Sequence, residues 1–235
     1  MNIDFDIFGL KNPYTRFDKS LLIKNYKHIS NKEYWFYKNS IPLFERLIKD
    51  IKPKTIIEVG SFLGYSAVNM GKICKENDLN TKILCIDTWL GSHEHWTIDN
   101  HKYLENYDYF ENGISSMYDR FIQIVLSHNL ENNIIPLPNT SYNMYHILKN
   151  LNITGDLIFV DGEHSAKGVY EDLINYWQLL NPGGVLFGDD FTWSSVKEGC
   201  KKFSNETGVK IEDLRTLSNE KEFLEDLGTH YIIKK

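Results

Sequence analysis

The feature that most constrains the fold of this chain is a regular alternation of short apolar, β-branched segments with segments of helical periodicity. Five such apolar segments lie at residues 55–59, 82–86, 134–137, 156–160 and 185–187. Two further strand candidates, 209–211 and 230–233, flank a predicted helix near 220–227. Strands that alternate with helices form right-handed βαβ units and a parallel sheet covered on both faces. The sequence therefore predicts a doubly wound α/β fold with a mostly parallel, seven-stranded sheet.

The stretch before Pro53 differs from the rest of the chain. Apolar and aromatic residues recur at helical spacing between residues 31 and 51, with Ser40 and Pro42 interrupting the pattern, whereas residues 1–30 show no clear periodicity. We therefore predict an N-terminal cap at residues 1–52 and a sheet domain at 53–235. An insertion at 88–113, rich in polar and aromatic residues, lies within the sheet domain.

Composition excludes several classes of protein. The net charge is -6, and the four arginines offer few of the bidentate contacts that a phosphate backbone favours, so nucleic acid is not an expected partner. Three widely spaced cysteines fit no zinc motif and are typical of reduced thiols in a cytosolic protein. The sequence contains neither the pattern of a signal peptide nor an apolar run long enough to span a membrane. We expect a cytoplasmic protein with no membrane partner.

Four of the predicted strands end in acidic residues. Glu58 lies at the end of the first strand, Asp87 at the second, Asp161 at the fourth and the pair Asp189-Asp190 at the fifth. In open α/β sheets ligands bind at the carboxyl ends of the strands, near the point where strand order reverses. The pattern therefore predicts a ligand site at this edge of the sheet.

A glycine-bearing turn follows the first strand, where residues 58–66 read EVGSFLGYS. Gly60 and Gly64 allow close backbone approach to a ligand, and the following helix offers free amides to an anion. A strand–helix turn without a ligand has the same pattern, but Asp87 at the next strand end fits the two hydroxyls of a ribose. Phe62 and the missing third glycine leave little room for a pyrophosphate. S-adenosylmethionine, whose only anion is a small carboxylate, fits this turn better than a dinucleotide.

With these segments the chain resembles class I S-adenosylmethionine-dependent methyltransferases, in particular the catechol-type and antibiotic-sugar O-methyltransferases. The resemblance covers roughly residues 50–205 and is carried by residues 58–68, 86–96, 134–138, 159–164 and 180–190. It implies an enzyme that transfers a methyl group to a hydroxyl of a small or glycosylated molecule. It also implies a cofactor site that comprises Glu58, Gly60, Ser61, Gly64, Tyr65, Ser66, Asp87, Thr88, Asn139, Thr140, Ser141 and Asp161.

Within that site the resemblance assigns roles to single residues. Glu58 and Gly60 would line the methionine moiety, Ser66 would meet its carboxylate, and Asp87 would hold the ribose. Residues 139–141 would border the adenine, and Asp161 would end the fourth strand beside the sulfonium.

The acidic residues Asp161, Asp189 and Asp190 are expected at the ends of neighbouring strands. Converging carboxylates repel one another unless a cation lies between them, and Mg²⁺ prefers such oxygen ligands. We predict that these three residues bind magnesium, which the resemblance to catechol-type enzymes supports. The alternative is that Asp189 caps the following helix and Asp190 faces solvent.

His164, three residues beyond Asp161, is the predicted catalytic base, because an imidazole readily accepts a hydroxyl proton near neutral pH. Its alternative role is a surface or helix-capping histidine. The predicted catalytic residues are therefore His164 and Asp161.

Two segments rich in aromatic residues have no role assigned so far. We interpret the insertion, with His93, His95, Trp89, Trp96 and the aromatic residues Tyr103, Tyr107, Tyr109 and Phe110, as a substrate wall rather than a metal site, with structural packing as an equal alternative for each residue. Residues 34–37 of the N-terminal cap are compatible with packing, a pocket wall or a homo-oligomer interface. A metal-independent methyltransferase, a non-catalytic nucleoside-binding protein and a dehydrogenase are the alternative functions.

Overall fold

The computed structural model describes residues 3–19, 40–92, 96, 109–111, 113–213 and 230–235. Within these residues one large sheet and one short hairpin contain all the strands. The strands of the large sheet are β1 (Thr55–Val59), β2 (Lys82–Asp87), β5 (Ile134–Pro138), β6 (Gly155–Val160), β7 (Leu180–Gly188), β8 (Glu212–Asp213) and β9 (Tyr231–Lys234). The hairpin consists of β3 (Phe110–Glu111) and β4 (Ile114–Ser115).

The seven strands of the large sheet follow the order β5-β2-β1-β6-β7-β9-β8. The first five in this order are parallel, whereas β9 runs antiparallel to both β7 and β8. Strand order reverses between β1 and β6, because the chain moves outward from β1 to β5 before it returns to β6. This topology confirms the predicted doubly wound, mostly parallel seven-stranded sheet.

Six α-helices of the described chain cover the two faces of the sheet. They are α1 (Ile41–Ile51), α2 (Tyr65–Glu76), α3 (Met117–Ser127), α4 (Ser141–Asn150), α5 (Ala166–Leu179) and α6 (Ser194–Thr207). Helices α1, α2 and α3 pack on one face and α4, α5 and α6 on the other. Successive strand residues point to opposite faces, so Ile56 belongs to the first core and Ile57 to the second.

Local sequence signals explain where several helices begin and end. Pro42 lies in the first turn of α1, where its missing N–H would have no partner in the helix. The side chains of Thr140 and Ser165 cap α4 and α5 by accepting hydrogen bonds from Asn143 N and Gly168 N. Pro42, which interrupts the sequence pattern, therefore begins a helix rather than breaking one.

Residues at the N-terminus form two short 3₁₀ helices, Phe5–Phe8 and Pro13–Arg16, in a region whose sequence shows no clear periodicity. The second helix lies against the outer strand β5: the buried Tyr14 donates a hydrogen bond from its hydroxyl to the carbonyl oxygen of Ile134 at 2.9 Å. Apolar residues of the same segment pack against both cores. The division of the chain at residue 52 stays a prediction.

Other element bounds differ from expectation in ways with a local cause. The apolar spacing of residues 114–130 predicts a helix there, but α3 begins only at Met117, because the β3–β4 hairpin occupies the preceding residues. Strand β8 lies just after the expected 209–211, and the helix expected near 220–227 lies outside the described residues, as does the aromatic stretch 34–37. In the part of the chain that the structure describes, no helix is both long and apolar enough to cross a bilayer.

Candidate active site

The carboxyl ends of β2, β1, β6 and β7 lie side by side because these strands are neighbours in the sheet. Pairing aligns Val59 with Ile86 on one side and with Val160 on the other, and Val160 with Gly188. The acidic strand ends predicted from the sequence therefore meet at one edge. The rest of the site is built from the loops that leave these strands.

The turn after β1 depends on its two glycines. Gly60 and Gly64 have φ of 85° and 84°, in the left-handed region that side chains disfavour. A methyl group on Gly60 would lie 2.0 Å from the carbonyl oxygen of Asp161, so the loops after β1 and β6 touch at this point. Hydrogen bonds from Gly60 N to Ile86 O (2.9 Å) and from Asp161 N to Val59 O (2.8 Å) fix the contact.

Asp87 holds the same turn from the neighbouring strand. Its two carboxylate oxygens accept hydrogen bonds from the backbone N–H groups of Phe62 (2.7 Å) and Trp89 (2.6 Å). The Trp89 indole N–H in turn donates to Phe62 O at 2.6 Å. Burial raises the pKa of the Asp87 carboxyl, and the hydrogen bonds from Phe62 and Trp89 oppose that shift. Each oxygen retains a second lone pair, so Asp87 can order the turn and still accept ribose hydroxyls.

The predicted cofactor residues divide into a partly exposed and a buried group. The former, which can meet a ligand directly, consists of Gly60, Asp87, Thr88, Asn139, Thr140, Ser141 and Asp161. The latter consists of Glu58, Ser61, Gly64, Tyr65 and Ser66. In the second group the Ser66 hydroxyl donates to Glu58 Oε1 at 2.5 Å, so it points inward rather than toward the edge of the sheet. Direct cofactor contact by this group stays a prediction.

A cluster of three side chains lies at the ends of β6 and β7. Asp161, His164 and Asp190 each offer one ligand atom, and these atoms lie within 4.8 Å of one another. His164 Nε2 is 3.0 Å from Asp190 Oδ2 and 3.8 Å from Asp161 Oδ1. Burial raises the pKa of the Asp161 carboxyl, a hydrogen bond with His164 opposes this, and the charges of Asp189 and Asp190 add to the increase. The arrangement fits a divalent cation, an Asp–His proton acceptor, or both.

Asp189, the third predicted metal ligand, has different neighbours. Its Oδ1 accepts a hydrogen bond from Asp190 N at 2.7 Å, and its Oδ2 lies 3.7 Å from Nε2 of the buried His230. Among the described residues the structure thus brings together Asp161 and Asp190 and places His164 beside them. The alternative that Asp189 caps the following helix is wrong, because the N-cap of α6 is Trp193 and no side chain caps it.

The backbone explains this difference between two adjacent aspartates. Asp190 has φ of 56°, a left-handed conformation that Asp and Asn tolerate better than other non-glycine residues. One step of left-handed backbone after a strand turns the second carboxylate toward His164 while the first stays beside His230. Residues in such conformations cluster at functional sites.

Comparison with known proteins agrees with this geometry. The profile of the methyltransferase domain family matches residues 57–191, more than half of the chain. The chain belongs to this methyltransferase family. This result confirms the predicted family and enzyme class, an S-adenosylmethionine-dependent methyltransferase of class I.

Several solved structures share the fold of this chain at low sequence identity. An O-methyltransferase from Bacillus cereus, in complex with S-adenosylhomocysteine, is 14% identical with a TM-score of 0.57, over 98% of this chain and 94% of that chain. TomG from Streptomyces achromogenes, an O-methyltransferase of tomaymycin synthesis in complex with S-adenosylmethionine, is 12% identical with a TM-score of 0.59, over 96% and 91%. The O-methyltransferase NovP is 12% identical with a TM-score of 0.58, over 84% and 79%. No curated protein is significantly similar to the sequence.

Aromatic residues near the site only partly follow the prediction of a substrate wall. Trp89 and Tyr109 are buried and belong to the core, so for these two the packing alternative is correct. Trp96 is 52% exposed and lies edge-on to Phe110 at 4.9 Å. Residues 93–95, Tyr103 and Tyr107 lie outside the described residues.

Trp193 is a site residue that was not predicted from the sequence. Its ring is 46% exposed and lies 4.9 Å from the His164 ring, at an interplanar angle of 43°. The available signal was its position three residues after Asp190, in the loop that leaves β7. Trp193 thus supplies an aromatic surface directly beside the cluster of Asp161, His164 and Asp190.

Glu58 provides a prediction for the pH dependence of stability. The carboxyl is fully buried, and burial raises its pKa to about 7, although the Ser66 hydroxyl opposes the shift. Because the folded state holds this proton when the unfolded chain has lost it, stability is highest below the unfolded pKa and falls as pH rises toward 7. We expect Glu58→Gln to remove roughly 2 kcal/mol of the difference in unfolding free energy between pH 5 and pH 8.

Denaturant unfolding of the wild type and the variant at both pH values measures this difference. Glu45→Gln is the control, because Glu45 is partly exposed and forms only a surface pair with Lys49. An unchanged pH dependence in Glu58→Gln would contradict the assignment.

Proposed function

We propose that this protein is an O-methyltransferase that moves the methyl group of S-adenosylmethionine to a hydroxyl of a small or glycosylated molecule, with a divalent cation, Mg²⁺, at the acceptor site. The observation that carries the proposal is the position of the Asp161, His164 and Asp190 cluster. It lies at the same sheet edge as the Gly60 turn and Asp87. The named O-methyltransferases of the same fold support the choice of an oxygen acceptor.

The cofactor would lie across the ends of β2, β1 and β6. Asp87, fixed by two backbone amides, would accept the ribose hydroxyls, and Asn139, Thr140 and Ser141 would border the adenine. The methionine chain would follow the Gly60 turn toward Asp161, where carboxylates balance the positive charge of the sulfonium. The partial exposure of these residues supports the placement.

Asp161 and Asp190 would hold the cation through their carboxylate oxygens, which are the ligands that Mg²⁺ prefers. When bound, the cation would lower the pKa of the acceptor hydroxyl and orient it toward the methyl group. Asp189 would then hold Asp190 in place without binding the cation, because it accepts a hydrogen bond from Asp190 N and lies beside His230.

His164 would act as the base. Its Nδ1 would take the hydroxyl proton, while Nε2–H would donate to Asp190 Oδ2, 3.0 Å away, which would stabilise the resulting imidazolium. S-adenosylmethionine, held by Asp87 and the Gly60 turn, would supply the methyl group: its carbon would bond to the acceptor oxygen, and the electron pair of the carbon–sulfur bond would stay on the sulfur of the departing S-adenosylhomocysteine. Asp161, beside the sulfonium, would contribute electrostatic stabilisation to this step.

Calorimetric titration tests the cofactor part of the proposal. We expect saturable binding of both S-adenosylmethionine and S-adenosylhomocysteine, and no binding of either would contradict it. A methyl-transfer screen with catechols and methyl glycosides, using cofactor with a labelled methyl group, then tests the acceptor class. Label that appears only on nitrogen or carbon in other acceptors would contradict O-methylation.

A metal-independent reaction on the same site is the second candidate, because the Asp190–His164 pair is already close enough to act as a base without a cation. Activity in the presence of a chelator separates the two mechanisms. A cytoplasmic location is part of our proposal as well, supported by the three free, buried cysteines Cys74, Cys85 and Cys200.

Trp193 provides a prediction for acceptor binding. Removal of its ring by Trp193→Ala should raise the KM for the acceptor about tenfold, because stacking and the exclusion of water beside His164 are lost. The dissociation constant of S-adenosylhomocysteine should stay within about twofold, since Trp193 lies on the β7 side of the cluster.

Trp193→Phe should retain most of the acceptor affinity, and Trp177→Phe on the far part of α5 is the control. Steady-state kinetics with the acceptor found in the screen measures the effect. An unchanged acceptor KM in Trp193→Ala would show that the ring is not part of the acceptor site.

A further inference from the structure

Asp172 is a buried carboxyl group that the proposed reaction does not use. It lies on the inner face of α5 with only 5% of its surface exposed. Its Oδ2 would be 3.5 Å from a methyl group on Gly162, so the loop that follows Asp161 packs directly on this carboxyl group. A charged or polar group at such a depth requires a partner.

The partner of Asp172 is Ser141. Burial, with a smaller contribution from the charges of Glu163 and Glu171, raises the pKa of Asp172 to about 7, and a hydrogen bond with the Ser141 side chain opposes the increase. One turn later on α5, the buried Tyr176 donates from its hydroxyl to the carbonyl oxygen of Ser141 at 2.8 Å. Helix α5 therefore contacts Ser141 at two points: Asp172 contacts the Ser141 side chain, and Tyr176 contacts the Ser141 backbone.

Ser141 is the first residue of α4 and ends the segment 139–141 that borders the proposed adenine site. The other end of this segment is held by a hydrogen bond from Asn139 N to Asp87 O at 3.0 Å. Thus Asp87 and α5 hold the segment from its two ends.

We infer that Asp172 is a positioning residue for cofactor binding, which holds Ser141 and the loop after β6 in register with each other. This inference rests on the proposed function, because it takes residues 139–141 as the border of the adenine. Asp172 touches no reacting atom. It acts through Ser141 and Gly162, so one buried carboxyl group connects the nucleoside end of the site to the loop that carries Asp161.

The test is calorimetric titration with S-adenosylhomocysteine of wild type, Asp172→Leu, Asp172→Asn, Ser141→Ala and the double variant Asp172→Leu/Ser141→Ala. Asp172→Leu should weaken binding about tenfold, the effect of one lost hydrogen bond to a charged group. Asp172→Asn retains an acceptor for the Ser141 hydroxyl and should restore most of the affinity. Glu171→Gln is the matched control, because the adjacent Glu171 is exposed and forms only a surface pair with Lys167.

Non-additivity distinguishes positioning from a general loss of structure. If Asp172 acts through Ser141, then Asp172→Leu should change affinity less than about twofold in the Ser141→Ala background. An equal loss in both backgrounds, or unchanged affinity in Asp172→Leu, would overturn the inference. If Asp172→Leu does not fold, Asp172→Asn and Ser141→Ala decide: tight binding by Ser141→Ala would overturn it.

Hydrogen exchange without ligand separates this inference from the proposed function. In Ser141→Ala, and in Asp172→Leu if it folds, the amides at the start of α4 should exchange faster than in the wild type, whereas those of α6 should not; Asp172→Asn, which retains the contact, should exchange like the wild type. If wild-type protein does not bind S-adenosylhomocysteine, the proposed function fails. Faster exchange confined to α4 would still support the positioning contact, and unchanged exchange would contradict it.

Discussion

Methyl transfer by Asp190→Asn is expected to fall at least about a thousandfold, because the substitution removes the charge that stabilises protonated His164 and replaces an anionic cation ligand with a neutral amide oxygen. Asn tolerates the left-handed backbone that Asp190 adopts at φ of 56°, so the local fold should be retained. Binding of S-adenosylhomocysteine should change little. Single-turnover assays and calorimetry measure the two effects separately.

Two comparisons sharpen this prediction. Asp189→Asn should have a smaller effect than Asp190→Asn, because Asp189 lies beside His230 rather than His164. Glu198→Gln, an exposed position on α6, should have none. Equal losses in the two aspartate variants would instead support the predicted set in which both residues bind the metal.

Assays in a chelator distinguish the contribution of the cation to activity from that of the base. Wild-type activity should be lost in chelator and return with added Mg²⁺. Full activity in chelator, together with a large loss in Asp190→Asn, would contradict the metal and support the Asp190–His164 pair alone.

Gly60→Ala should be the most destabilising substitution in the cofactor turn. The new methyl group would lie 2.0 Å from the backbone carbonyl oxygen of Asp161, and Ala would also have to adopt φ of 85°. Since backbone on both sides must move, we expect a loss of roughly 4 kcal/mol in unfolding free energy and no measurable binding of S-adenosylhomocysteine.

Gly208→Ala is the control for this experiment, because Gly208 has φ of 71° and no atom within 4 Å of an added methyl group. It should lose only the conformational part, about 1 kcal/mol. Denaturant unfolding of both variants therefore measures the steric contact as a difference. Equal losses would show that the loops after β1 and β6 can separate without cost.

Much of this architecture could be predicted because it depends on local patterns. The alternation of apolar runs and helices identifies the sheet, and Glu58, Asp87, Asp161 and the pair Asp189-Asp190 mark the strand ends that meet at one edge. Phe62 correctly favoured a methyltransferase cofactor over a dinucleotide. These signals need only the period of side-chain burial and the chemistry of a short turn.

What could not be predicted depends on single dihedral angles and on contacts between distant segments. Adjacent aspartates are equivalent in the sequence, and only the left-handed backbone at Asp190 turns one of them toward His164. Aromatic composition does not distinguish the buried Trp89 from the exposed Trp193. The partnership of Ser141 with Asp172 joins residues on different helices and leaves no periodic pattern.

The segment Phe5–Arg16 covers part of the outer strand β5, and we expect this cover to limit self-association in concentrated solution. An outer strand with unpaired backbone groups invites strand addition by another molecule. Strand β5 has the Tyr14 hydroxyl on one of its carbonyls, whereas the opposite edge, β8, consists of the two acidic residues Glu212 and Asp213 in the part of the chain that the structure describes. The N-terminal segment therefore protects the β5 edge of the sheet, whereas the short length and negative charge of β8 protect the other edge. Fragments that begin after Arg16 should precipitate more readily than those that retain it.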